Sequence, residues 1–171
     1  MGAAAHLGIA PGAYDRTIAT LIPHYLELID AAAGAVGVFA GRSPAVVDLG
    51  TGSGALAQRI LKVRPQARVT GVDADGAMLA TATRRLRGRI RTIEANFERV
   101  VLPRCDVVSA SFALHHVPTR RRKAALYRRC FAALTPGGMF VSADCYLAST
   151  ARLQKAHREA WIRHQIGRAH V

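Results

Sequence analysis

The stretch Val46-Val47-Asp48-Leu49-Gly50-Thr51-Gly52-Ser53-Gly54-Ala55-Leu56 constrains the fold more than any other part of this 171-residue chain. Residues of strand character run into a turn with glycine at every second position, and the turn opens directly into a helical segment. A strand joined to a helix by so short a turn packs that helix back onto its own sheet, which is the first half of a βαβ unit. The bare backbone of the glycines also lets a ligand approach the positive end of the helix without meeting a side chain.

The same alternation continues along the chain. Val-rich runs of strand length occupy 45–49, 68–73, 90–95, 105–111 and 139–145, and their two-sided apolar character fits burial on both faces. Between them, helices are predicted at 55–63, stopped by Pro65, at 76–86 with Asp75 as N-cap, and at 119–134, closed by Thr135-Pro136-Gly137-Gly138. In the last of these, Leu126, Tyr127, Cys130, Phe131 and Leu134 form the predicted apolar stripe, with Arg121, Arg128 and Arg129 on the solvent side. The pattern predicts an α/β fold with a Rossmann-like, doubly wound, mostly parallel sheet. Ahead of it, 14–33 reads as two amphipathic helical pieces divided at Pro23, part of a helical cap over 1–40. A core over 44–145 and a helix over 149–165 complete a single domain.

Chemistry enters at the strand ends. Val69-Thr70-Gly71-Val72-Asp73 closes the second strand on a carboxylate, placed one connection after the glycine turn to accept both hydroxyls of a ribose. The pair points to an adenosine-bearing cofactor. Gly50, Gly52 and Ala55 also satisfy the dinucleotide spacing, so an NAD(P)-binding oxidoreductase is the rival reading. Asp48 weighs against it, because a carboxylate beside the turn attracts a cationic ligand and repels a pyrophosphate. S-adenosyl-L-methionine carries both an ammonium and a sulfonium.

On these residues the chain resembles the class I S-adenosylmethionine-dependent methyltransferases. Val46 to Leu56 resembles their first motif. Gly71-Val72-Asp73-Ala74-Asp75-Gly76-Ala77-Met78-Leu79 resembles their second strand, Cys105 to His116 their fourth strand with its His-containing end, and Leu134-Thr135-Pro136-Gly137-Gly138-Met139-Phe140 the turn into their fifth. The resemblance covers about residues 44–144 and implies methyl transfer to a small-molecule acceptor. It implies that Gly50, Thr51 and Gly52 contact the methionyl part, Asp48 holds the amino end directly or through water, and Asp73 takes the ribose hydroxyls. Ala74 and Met78 are expected to flank the adenine, Asn96 to accept its amino group with Phe97 alongside, and the backbone of Ser111 to reach the methionyl end. Met78 and Phe97 read equally well as core residues. The transfer itself needs alignment and exclusion of water more than covalent help. His115 and His116 are candidate proton acceptors, set against a structural role for the pair. Tyr14 and Arg16 lie in a segment similar to the entry region of some small-molecule methyltransferases and of carboxy-S-adenosylmethionine synthase, which makes them candidates to close over the cofactor and makes a tRNA-modification-related protein an alternative.

Composition bounds the partners. A net charge of +13 and a pI near 11.1 ordinarily suggest nucleic acid, but 21 of the 24 basic residues are Arg, a bias that GC-rich codons also produce. The clusters 84–89 and 120–123 lack the interleaved aromatics that stack on single-stranded bases, so nucleic acid is not the favoured partner. No Asn/Asp-Pro-Pro-Tyr/Phe or Pro-Cys pair marks a base methylase. No apolar run is long enough to span a bilayer, and the first 13 residues carry neither an export nor a myristoylation signal. Cys105, Cys130 and Cys145 lack metal-ligand spacing and are expected as buried, reduced thiols, which fits the cytoplasm and no bound metal. Finally, the family's terminal antiparallel hairpin has no counterpart after 149–165, and 166–171 reads as a non-native tail. A truncated, inactive cofactor-binding fragment is therefore also expected.

Overall fold

The computed structural model describes residues 13–169. Strands β1 (Ala45–Leu49), β2 (Arg68–Asp73), β3 (Arg91–Glu94), β4 (Cys105–Ser111) and β5 (Leu134–Ala143) form one sheet in the order β3-β2-β1-β4-β5, with every pairing parallel. The chain winds outward from β1 to β3 and then crosses back to lay β4 on the other side of β1. A crevice therefore opens at the carboxyl ends of β1 and β4, where the connections diverge to opposite faces.

Helices α1 (Tyr14–Leu21), α2 (Tyr25–Phe39), α3 (Ala55–Val63), α4 (Gly76–Arg85), α5 (Arg120–Ala133) and α6 (Ala151–Ala169) complete the fold. One face of the sheet is covered by α1, α2 and α3, whose Ile18, Ile29, Val36, Leu56 and Ile60 are buried with Val46, Val69 and Val107. The other is covered by α5 through Leu126, Cys130 and Ala133, packed on Val47, Leu49 and Val108. Each fully buried aliphatic side chain contributes about 1.5–3 kcal/mol. Asp75 caps α4 by accepting the amides of Ala77 and Met78, as its position implies.

Several departures from the sequence pattern bear on the packing, and the last helix, expected over 149–165, continues to Ala169. Pairing of β5 begins at Leu134 rather than 139, because Thr135 to Gly138 loops out as a bulge between the Cys105–Leu134 and Val107–Met139 pairs. Thr135 Oγ1 ties that bulge to Asp106 Oδ1 at 2.7 Å, and Ala45 N donates to Asp106 Oδ2 at 2.8 Å. The α5 stripe runs along Leu126, Cys130 and Ala133, so Tyr127 and Phe131 are exposed; Tyr127 instead meets Phe140 edge-on at 5.4 Å. Arg129 is half-buried, its guanidinium donating to the carbonyls of Phe97 and Glu98. Cys105 and Cys130 are buried, but Cys145 is exposed because β5 ends at Ala143 and Asp144 turns toward β4.

No single helix among the described residues is long and apolar enough to cross a membrane; the apolar pair α1–α2 is bent by 103° around Pro23 and packs against the sheet. Among the described residues β5 is an edge strand, paired to β4 alone. Residues 1–12, read for signals, and 170–171, the end of the proposed tail, lie outside the described residues.

Candidate active site

At the carboxyl ends of β1, β2 and β4 lies a cavity of about 640 Å³. Its floor is the β1–α3 turn, where Gly50, Gly52 and Gly54 all have positive φ, at 64°, 55° and 80°. The turn is held from below. The Gly50 and Thr51 amides both donate to Val72 O, at 2.8 and 3.1 Å, and Gly54 N donates to Thr51 O at 2.9 Å. Gly52 N donates to Asp73 Oδ2 at 2.8 Å, while Asp75 N donates to Asp73 Oδ1 at 2.9 Å. Asp73 thus clips the turn to the β2–α4 connection. A carboxylate offers about four lone-pair positions, so Asp73 keeps acceptor capacity for a ligand hydroxyl. Burial pushes the Asp73 carboxyl above its ordinary value.

Asp48 sits beneath the turn at 1% exposure and is absent from the cavity wall. Its Oδ1 accepts from Ser109 Oγ at 2.7 Å, and Thr51 Oγ1 donates to its backbone carbonyl at 2.8 Å. Burial pushes its pKa up to about 6. At neutral pH it is therefore mostly ionised, a negative charge stored in the base of the site.

The roof is the α1–α2 cap, whose Tyr14, Ile18, Ile22 and Tyr25 line the cavity. Burial first, then the neighbouring Asp73 charge, pushes the Tyr14 phenol up; Tyr25 is pushed up to about 12, mainly by burial. The Tyr25 ring lies 5.1 Å from that of Phe112, a non-glycine residue held at φ 48° just past β4. A polar clasp fixes the cap: Asp15 of α1 pairs with Arg85 at the end of α4 and accepts from Ser53 Oγ, which in turn accepts from Arg85 Nη1 at 3.1 Å.

The far wall carries a second polar group. His115, in the short turn Leu114–His116 after β4, places Nδ1 2.6 Å from Asp144 Oδ1, and its amide donates to Asp144 Oδ2 at 3.0 Å. Asp144 is partly buried, which opposes its charge, but the bond to His115 holds its pKa below the ordinary carboxylate range. The pair leaves Nε2 as the imidazole atom for the cavity.

Of the residues singled out from sequence, Gly50, Thr51, Gly52, Asp73, Ala74, Met78, Asn96, Phe97, Ser111, Tyr14, His115 and His116 line this one cavity. Arg16 does not; it is exposed on α1. Asn96 Oδ1 already accepts the Glu98 amide at 2.8 Å, which leaves one lone pair. Two arginines of the basic clusters are engaged: Arg85 in the clasp, and Arg122 in a two-pronged bond to Glu98 at 2.8 and 2.7 Å. Sequence reasoning missed Ile18, Ile22, Tyr25, Ser53 and Phe112. The 4-3-4 spacing of Ile18, Ile22, Tyr25 and Ile29 carried a signal for the first three; nothing local marked the Asp15–Arg85 clasp, whose ends lie 70 positions apart.

Known proteins resemble the chain in sequence and in fold. A family model described as "Methyltransferase domain" matches residues 46–138. A trans-aconitate 2-methyltransferase of Rhodopseudomonas palustris (strain BisB18) is 36% identical over 129 residues, covering 72% of this chain and 48% of that protein. A carboxy-S-adenosyl-L-methionine synthase of Aeromonas hydrophila is 28% identical over 130 residues, covering 72% and 52%. The chain thus spans between 35% and 58% of the length of curated relatives such as these. Among solved structures, CalS10, an amino pentose methyltransferase from Micromonospora echinaspora with SAM bound, superposes with a TM-score of 0.67 at 23% identity, covering 79% of this chain and 57% of that one. That likeness is one of fold.

Proposed function

The chain belongs to the methyltransferase domain family, and on that premise we propose that it moves the methyl group of S-adenosyl-L-methionine to a small-molecule acceptor. One observation carries the choice of cofactor. The amides of Gly50, Thr51 and Gly52, which a dinucleotide pyrophosphate would need, are already donated to Val72 O and Asp73, and an acid lies buried below them. A phosphate there finds those three amides engaged and a like charge below; a ligand with a ribose diol and a cationic sulfur finds Asp73 and a favourable field. Ala74, Met78 and Asn96 are the residues we place around the adenine, and the Tyr14 and Tyr25 cap excludes water above it.

When bound, the cofactor supplies an electrophilic methyl group on sulfur. The chain's own residues hold the reactants in line and shield them. If the acceptor is a hydroxyl, the proton that its oxygen gives up on methylation would pass to His115 Nε2, which lies in the cavity wall. Asp144, bound at Nδ1, fixes the ring for that role and offsets the charge it gains. With such an acceptor, His115→Ala is expected to lower turnover about 100-fold while cofactor affinity stays unchanged. Equal turnover in the variant would remove His115 from the chemistry. The names of the relatives offer trans-aconitate as a first trial acceptor.

The cofactor is tested by calorimetry with S-adenosylmethionine and NADH in parallel. S-adenosylmethionine is expected to bind and NADH not. Asp73→Ala is expected to weaken the former by about 1–3 kcal/mol, through loss of buried charged hydrogen bonds. Tighter binding of NADH would overturn the proposal.

A further inference from the structure

Behind the candidate cofactor cavity lies a second one of about 560 Å³, and Ile22 and Phe112 stand in the walls of both. The size suits a small organic ligand. Phe112, the divider, is held at φ 48°, a conformation that side-chain-bearing residues adopt only when their surroundings enforce it and that concentrates at functional sites. Helix α6 forms the outer wall and presents Arg158, Trp161 and His164 to the space.

Of the two fully charged groups there, Asp144 and Arg158, only the guanidinium is unengaged. Arg158 makes no hydrogen bond or ion pair among the described residues, and His164 Nε2 is buried without a partner. Asp144 is the only acid in the wall, and both its oxygens are taken up by His115 and the Cys145 amide. The remaining surface is largely apolar, led by Trp161, Phe112 and Ile22. An unsatisfied planar donor fork suits a carboxylate, and the apolar walls suit a hydrocarbon body.

We infer that this second cavity is the acceptor site and takes a small carboxylic acid with an apolar stem, its carboxylate held by Arg158. The inference rests on the methyl-transfer reading, since it is the shared wall at Phe112 that sets the ligand beside the methyl donor.

Trp161 is the only tryptophan in the chain and lies in the wall of this cavity, so its fluorescence reports occupancy directly. Protein saturated with S-adenosylhomocysteine is titrated with hexanoate, hexanamide and hexyl phosphate. Hexanoate is expected to give a saturable change, and hexanamide and hexyl phosphate weaker ones. Arg158→Ala, an exposed change that leaves the core intact, is expected to raise the half-saturating hexanoate concentration at least tenfold; Arg158→Lys recovers part of it. Calorimetric affinity for S-adenosylhomocysteine stays the same in all three proteins. Hexanamide or hexyl phosphate binding as tightly as hexanoate, an unchanged response in Arg158→Ala, or no saturable response to hexanoate would each overturn the inference. If S-adenosylhomocysteine itself fails to bind, the methyl-transfer reading falls, and the hexanoate titration of the free protein still decides the second cavity.

Discussion

Gly50→Ala is expected to destabilise the chain by about 2–5 kcal/mol and to remove cofactor binding altogether. Two costs add. A side chain at φ 64° costs roughly 1–2 kcal/mol, and a Cβ at this position would fall inside the van der Waals surface of Ala113 Cβ, where overpacking costs typically 1–3 kcal/mol. Ala113 is itself buried beneath the turn that carries His115, so relieving the clash moves the cavity wall. Gly88→Ala separates the two causes: its φ is 75°, but a Cβ there meets nothing within 4 Å. It is expected to cost roughly 1–2 kcal/mol from backbone strain alone. Thermal unfolding of both variants checks this, since each kcal/mol is worth about 2–4 °C in a chain of this size. A Gly50→Ala protein that melts with Gly88→Ala and still binds S-adenosylmethionine would show that the turn does not pack as described.

The second large effect is on pH dependence, and Asp48 sets its sign. Its pKa is about 6 in the folded chain against an ordinary 3.8, so between those values the folded state holds a proton that the unfolded chain has released. Stability from this group is therefore fully present below pH 3.8, falls as pH rises through that window, and is constant above it. About two pKa units at ~1.4 kcal/mol each give a loss of ~3 kcal/mol. Asp106 and Asp144, whose pKa values are lowered, act in the opposite direction, so the total stability curve mixes both. Asp48→Asn isolates the term, because its amide oxygen still accepts from Ser109 Oγ and carries no titration. Relative to the parent, the variant is expected to gain ~3 kcal/mol in urea unfolding between pH 4 and pH 7. A difference between the two proteins that stays constant across that range would mean Asp48 is not buried as a desolvated acid.

The sheet was legible because its period is local. β1, β2 and β4 have the bounds that the apolar runs imply, and α3 ends where Pro65 requires. What misled was register across space. The stripe of α5 is set by which way β4 and β5 present their side chains, and that choice exposes Phe131 and turns Arg129 inward. The start of β5 was hidden by a bulge, which carries residues without adding ladder pairs. In the site, glycine turn and strand-end acid were visible because each has a fixed place relative to β1 and β2. Tyr25, Phe112 and the Asp15–Arg85–Ser53 clasp were not, because they depend on where α1 and α2 dock. The arginine excess had a structural part as well. Arg59 pairs with Asp30, Arg64 satisfies carbonyls at the end of α2, and Arg85, Arg122 and Arg129 tie elements together. A count of charges reads these as a surface, whereas several of them are struts.

The central claim is that one cofactor sits between the β1–α3 turn, the end of β2 and the α1 cap. Amide hydrogen exchange with and without S-adenosylmethionine tests it most directly, because protection maps the occupied residues without knowledge of the acceptor. Protection is expected in residues 14–18, 50–54, 73–78 and 96–98, with exchange unchanged at the opposite end of the sheet around 88–91 and 103–105. Protection at that opposite end, or equal protection of the turn by NADH, would contradict the account.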